Sequence, residues 1–192
     1  LRSYICPNKA NSAEDVQRLQ QYLNENEGEH LSVDGSYDAD DVAAVKRYQQ
    51  KYADVILAPW GFTTPTGIVS RTTAAKINLS VCAKNTMCPY FPGHLKLGDN
   101  SLDVVRLQDF INIAFAPTSG YPTKGIPLSK TFTAQTFQGV KSFQTTYKET
   151  VLKPWGLKGA TGWFYQTTQH AANKLMGCNP APVTIDNGKV IQ

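Results

Sequence analysis

The chain has 192 residues, 41% hydrophobic and 18% charged, with a net charge of +4 at pH 7. That apolar share supports packed cores and excludes a disordered polyampholyte, and 14 Gly with 11 Pro exclude collagen-like and low-complexity classes. The 19 Lys and Arg are scattered with no basic stripe for nucleic acid, and the longest apolar runs, such as residues 55–58, are too short to span a membrane.

In chain order, Ser12 stands where it can N-cap a first helix. Glu14 and Asp15 follow in the first turn, where the helix dipole favours acid, and Val16, Leu19 and Leu23 share one face. A second helix is expected over 39–52, with Val42, Val45, Tyr48 and Tyr52 inward. Residues 59–67 are crowded with turn formers and read as a loop. A short third helix starts at Ser70 or Arg71 and holds Ala74, Ala75 and Ile77. The same series then returns. Ser101 caps a helix with Val104, Leu107 and Ile111 inward, the next carries Phe137, Val140, Phe143 and Tyr147, and the last starts near Gln166 with Ala171 and Leu175. In the tail, 183–185 and 189–191 flank Asp186-Asn187-Gly188 and predict a tiny hairpin or an extended arm.

Self-comparison explains the return. The run 15–20 recurs at 103–108, an offset of 88, while 45–49 recurs at 140–144 and Pro59-Trp60-Gly61 recurs at Pro154-Trp155-Gly156, an offset of 95. The difference places an insertion in the second copy, in the Gly-, Pro-, Ser- and Thr-rich stretch 116–127, which reads as a surface loop. Cys6 opens and Cys82 closes copy one; Cys88 opens and Cys178 closes copy two. Four cysteines allow three connectivities. Cys6–Cys82 with Cys88–Cys178 is favoured because each bond ties the ends of one repeat; Cys82–Cys88 with Cys6–Cys178 is the rival. Paired cysteines point to an oxidising compartment, hence to export. The chain begins at Leu1 without a basic-then-apolar leader, so either a signal has been removed or the chain starts inside a longer product.

These residues resemble the peptidoglycan-binding-domain-like family, a three-helix module attached to bacterial wall hydrolases and transpeptidases. The matches in copy one are Val16, Leu19, Gln20, Asp34, Gly35, Tyr37, Ala44, Val45, Tyr48, Gln49, Gly61, Gly67 and Thr72. Copy two supplies Val104, Leu107, Gln108, Phe132, Thr136, Val140, Phe143, Gln144, Gly156, Leu157, Gly162 and Thr167. Asp38 stands where the family has Gly and Asp41 where it has Thr, and Ser129-Lys130 replaces the family's Asp-Gly, which implies a rebuilt turn. The resemblance and the repeat together imply an all-α chain: two tandem three-helix modules at 1–84 and 85–178, each closed by a disulfide, and an extended tail at 179–192.

No catalytic constellation is visible. The sequence has no C-x-x-C, and His30, His94 and His170 lie in unrelated contexts, so no metal site, cofactor or enzyme activity is expected. The candidate ligand-binding residues are the repeated ones. Trp60 and Trp155 either pack over their own helices or offer a ring to a sugar or partner. Gln49 and Gln144 either hold the adjacent loop or touch ligand. Tyr52 and Tyr147 are expected at the edge of the core with the hydroxyl outward. Arg18 and Arg106 either form a solvated face or grip a carboxylate bidentately. The expected role is non-catalytic attachment to peptidoglycan or another component of the cell envelope, secreted and with no nucleic acid or membrane span. The alternative is a structural subunit or spacer of an extracellular assembly that self-associates through its tail.

Overall fold

Local signals start the helices where the pattern predicts. Ser12 accepts from Asp15 N at 3.3 Å and opens α1, Ala13–Glu27. Asp38 opens α2, Ala39–Lys51, by a capping box: its side chain accepts from Asp40 N and Asp41 N, while Asp41 accepts from Asp38 N at 3.0 Å. The two departures from the family pattern are therefore one device. A single-turn α3, Ala53–Ile56, and a 3-10 turn, Ala58–Trp60, follow before α4, Arg71–Cys82. Trp60 thus ends a helical turn inside a stretch expected to be pure loop: Pro59 suits the start of such a turn, and Gly61 closes it with φ +70°.

The computed structural model describes residues 1, 3–82, 88–115, 125–186 and 189–191, without the side chains of Cys82, Phe115, Lys189, Val190 and Ile191. Most of the expected loop at 116–127 and the tip of the expected hairpin lie outside these residues. The element series recurs as α5, Leu102–Phe115; α6, Ala134–Thr146; α7, Lys148–Val151; a 3-10 turn, Lys153–Trp155; and α8, Gln166–Leu175. Of the two readings left open for the tail, hairpin or extended arm, the structure takes the paired one: β1, Thr184–Asp186, runs antiparallel to β2, Lys189–Ile191, so the tail is not simply extended. The chain is mostly helical, as the resemblance implies.

Each half also carries an equivalent short antiparallel bridge, Ile5 with Val69 and Leu95 with Phe164, and the second half has a further one, Asn100 with Thr131. Most of the inward stripes bury as predicted, with Val16, Leu19, Leu23, Val45 and Tyr48 in the first half and Val104, Leu107, Ile111, Val140 and Phe143 in the second, whereas Val42, Tyr52 and Phe137 are only half-buried. The buried residues form one contiguous cluster running through both halves. Helix α4 packs on α5, and α3 packs on α8. Polar ties cross the same seam: Lys174 Nζ meets Asp54 Oδ2 at 2.8 Å, and Arg71 donates to Thr146 Oγ1 at 3.3 Å.

Cys88 and Cys178 are bonded, with Cα atoms 5.5 Å apart. The expected Cys6–Cys82 bond is different. Cys6 is a free thiol, and the side chain of Cys82 lies outside the described residues. The backbone supplies the physical reason. Leu1 and residues 3–6 lie along α4, so that Ile5 pairs with Val69 at one end and Leu1 O accepts from Asn78 Nδ2 near the other. Cys6 therefore lies by the start of the helix that Cys82 ends. The 12 residues of α4 separate its ends by on the order of 17 Å. A disulfide needs Cα atoms within about 7 Å.

Candidate functional site

The repeated loop after the second helix is shaped by a buried glutamine in each half. Gln49 Oε1 accepts from Thr66 N at 2.9 Å and Gly67 N at 3.0 Å, and its Nε2 donates to Ile68 O at 2.8 Å and Thr73 Oγ1 at 3.2 Å. Gln144 Oε1 accepts from Gly162 N at 2.8 Å, and its Nε2 donates to Trp163 O at 2.8 Å and Thr168 Oγ1 at 3.1 Å. Both side chains are buried with their hydrogen-bonding groups spent inward, so they hold the loop and offer nothing to a ligand. The glycines they hold pack tightly: a Cβ on Gly162 would stand 2.3 Å from the Phe137 ring.

A second glutamine per half does the same for the turn before the second helix. Gln20 accepts from Gly35 N at 3.1 Å and donates to Ser36 O at 3.0 Å and Asp41 Oδ2 at 3.2 Å. Gln108 accepts from Ser129 N at 2.6 Å and donates to Thr131 O at 3.1 Å and Thr136 Oγ1 at 3.0 Å. The turn without Asp-Gly is thus rebuilt around the same anchor. Burial pushes the Asp41 carboxyl above its ordinary range, and hydrogen bonds from the Asp38 backbone and Gln20 pull it partly back.

The tryptophans are oriented by a threonine relay. Trp60 Nε1 donates to Thr72 Oγ1 at 2.9 Å, and Thr72 donates in turn to Ile56 O at 2.8 Å. Trp155 Nε1 donates to Thr167 Oγ1 at 2.9 Å, and Thr167 to Val151 O at 2.7 Å. Satisfying the indole N–H inward leaves ring surface free: Trp60 is 40% exposed and Trp155 half-buried.

Two equivalent grooves result, each of about 250 Å³. The first is lined by Trp60, Phe62, Tyr4, Leu57 and Ile68 over Gln49, the second by Trp155, Leu157, Trp163, Tyr165 and Leu152 over Gln144. Of the expected site residues, the structure gathers only the tryptophans and glutamines here, the glutamines beneath the surface. Tyr52 is half-buried and donates to Glu27 Oε1 at 3.2 Å, with the buried Lys76 Nζ, which donates to Leu175 O across the seam, 4.9 Å from its ring centre. Burial pushes the Lys76 ammonium below its ordinary range, with Asp54 and Glu27 opposing. Tyr147 is fully buried rather than at an edge, because its ring stacks on Phe143 with centroids 4.6 Å apart. Arg18 pairs with Glu14 at 2.5 Å and Arg106 with Asp103 at 2.8 Å, each along its own helix. Phe62, Tyr4, Trp163 and Tyr165 were not singled out from sequence. The signal that finds Trp163 and Tyr165 is their place just after Gly162, one residue to either side of the bridge residue Phe164.

Among the described residues no three His, Cys, Asp or Glu side chains converge as metal ligands, and no helix is long and apolar enough to cross a membrane.

Residues 12–53 match the family described as a putative peptidoglycan binding domain. The peptidoglycan-binding match covers α1, the Gln20-anchored turn and α2, and it ends just before Trp60. It includes Gln49 and excludes the aromatic residues of the first groove. No curated protein and no solved structure matches the chain.

Proposed function

We propose that the protein is a non-catalytic binding module that attaches to bacterial cell-wall peptidoglycan from outside the cell. In this reading it is a tandem pair of like modules, at 1–84 and 85–178. The observation that carries the reading is the family match over 12–53, the segment that holds up the first groove. Wall glycan offers flat C–H faces with hydroxyls at the edges, and an open groove with an exposed indole suits such faces.

The test is co-sedimentation of the full chain with purified sacculi across a salt series. Retention is expected at moderate salt. Trp60→Ala is expected to weaken it by about tenfold, the order of one aromatic contact. Full recovery of the wild-type chain in the supernatant at every salt concentration overturns the reading.

One observation favours a second reading, assembly through the tail: β1 and β2 form a two-stranded sheet with no third strand among the described residues. A sheet edge can take a strand from a neighbour. An oligomeric state unchanged by removal of 179–192 counts against it.

A further inference from the structure

The two halves share a scaffold but differ on one face of it, and the difference acts as an internal control. In the second half, Leu95 and Phe164 exchange backbone hydrogen bonds at 3.0 and 2.8 Å. Both side chains are buried, so alternation along extended chain turns their neighbours outward. Those neighbours are aromatic: Trp163, 49% exposed, Tyr165, 36% exposed, and the exposed His94. They form a row, Trp163 to Tyr165 at 5.3 Å and Tyr165 to His94 at 5.1 Å between ring centres, with interplanar angles of 39° and 40°. In the first half the Ile5–Val69 bridge is the same, yet Ile68 and Ser70 take the places of Trp163 and Tyr165, with Tyr4 in the place of His94. The bridge forms without the row, so the fold does not require those rings.

We infer that the row Trp163–Tyr165–His94 is a platform for a neutral polysaccharide strand. Among the described residues no charged one lines the adjoining groove, and its Gln144 and Thr167 side chains are bonded inward. The adjoining groove therefore offers few free hydrogen-bonding groups, while the row offers ring faces edged by the polar atoms of Trp163, Tyr165 and His94. A sugar in a closed pocket needs a partner for each hydroxyl, whereas a strand lying across an open row keeps its hydroxyls in water and binds through its C–H faces. A nucleic acid would need cations along the row. A protein partner would need roughly 800 Å² of matching surface, of which three rings supply a small part. The inference deepens the proposed function, on which its setting in the wall rests, by assigning the glycan strand to the second half.

The test uses chitin, a neutral, peptide-free β-1,4-linked polymer of N-acetylglucosamine, beside purified sacculi. The variants are Trp163→Ile and Tyr165→Ser, which transplant first-half residues onto the same scaffold, with thermal unfolding to verify that they fold. The wild-type chain is expected to be retained on chitin, the double variant to lose at least tenfold, and Gln50→Leu, at an exposed position that lines neither groove, to retain chitin binding. Absence of wild-type retention, or equal retention by a folded double variant, overturns the inference. Sacculus binding without chitin binding overturns it while leaving the proposed function standing; chitin binding without sacculus binding does the reverse. If the double variant loses a protein partner and the wild type ignores chitin, the row is a protein-docking face and the inference fails.

Discussion

Replacing Gln49 with Leu tests whether a buried glutamine shapes each groove. Leu fills much the same volume but removes every hydrogen bond that Gln49 makes to residues 66–68. Thr66 is half-exposed, so water can reach its N–H. The Gly67 N–H and the Ile68 carbonyl, held at 3.0 and 2.8 Å, lose a buried partner. Each orphaned group costs about 1–3 kcal/mol, and the apolar gain of Leu offsets part, leaving a loss of about 2–4 kcal/mol. For a chain of this size that corresponds to roughly 5–15 °C in melting temperature. Urea unfolding followed by far-UV circular dichroism and tryptophan fluorescence measures it. Gln50→Leu is the control, since Gln50 is the exposed neighbour on the same helix and is expected to change stability by under about 0.5 kcal/mol. If Gln49→Leu falls within that margin, the glutamine is not what holds the loop, and the account of both grooves fails.

Gly162→Ala is expected to destabilise by about 2–4 kcal/mol, combining a left-handed backbone at φ +76° with the Phe137 ring in the way. Gly156→Ala, also left-handed but with nothing within 4 Å of the added carbon, is expected to cost only about 1 kcal/mol; equal losses in urea unfolding would remove the packing part of the explanation. Arg47 bonds Glu29 through two nitrogens, at 2.8 and 2.6 Å, and holds its carboxyl below the ordinary 4.5. A depressed carboxyl contributes stability that is fully present above about pH 4.5 and is lost as the pH falls through its folded value. Wild type is therefore expected to exceed Arg47→Met by under about 1 kcal/mol at pH 6, with the gap closing near pH 3 and in high salt. A gap unchanged from pH 6 to pH 3 would refute the pairing as its source.

Sequence alone determined the long helices and their recurrence, but not the single-turn helices and 3-10 turns that follow the second helix of each half. Helix periodicity, Ser12 as a cap and the Trp-Gly loop are set by near neighbours along the chain, so they are legible without coordinates. So was the order of elements in each half, because the offsets of 88 and 95 carry it. Tertiary structure alone decided exposure and pairing. Gln49, on α2, and Trp60, in the turn after it, are both repeated polar-capable residues, yet one is buried and spent while the other keeps a free face. That outcome depends on Thr72, Ile68 and Thr73 arriving from elsewhere in the chain. The same holds for Tyr147, covered by Phe143, and for Cys6, which the Ile5–Val69 bridge sets at the far end of α4 from Cys82. Burial and sulfur pairing are distances in space, and a sequence pattern carries only distances along the chain.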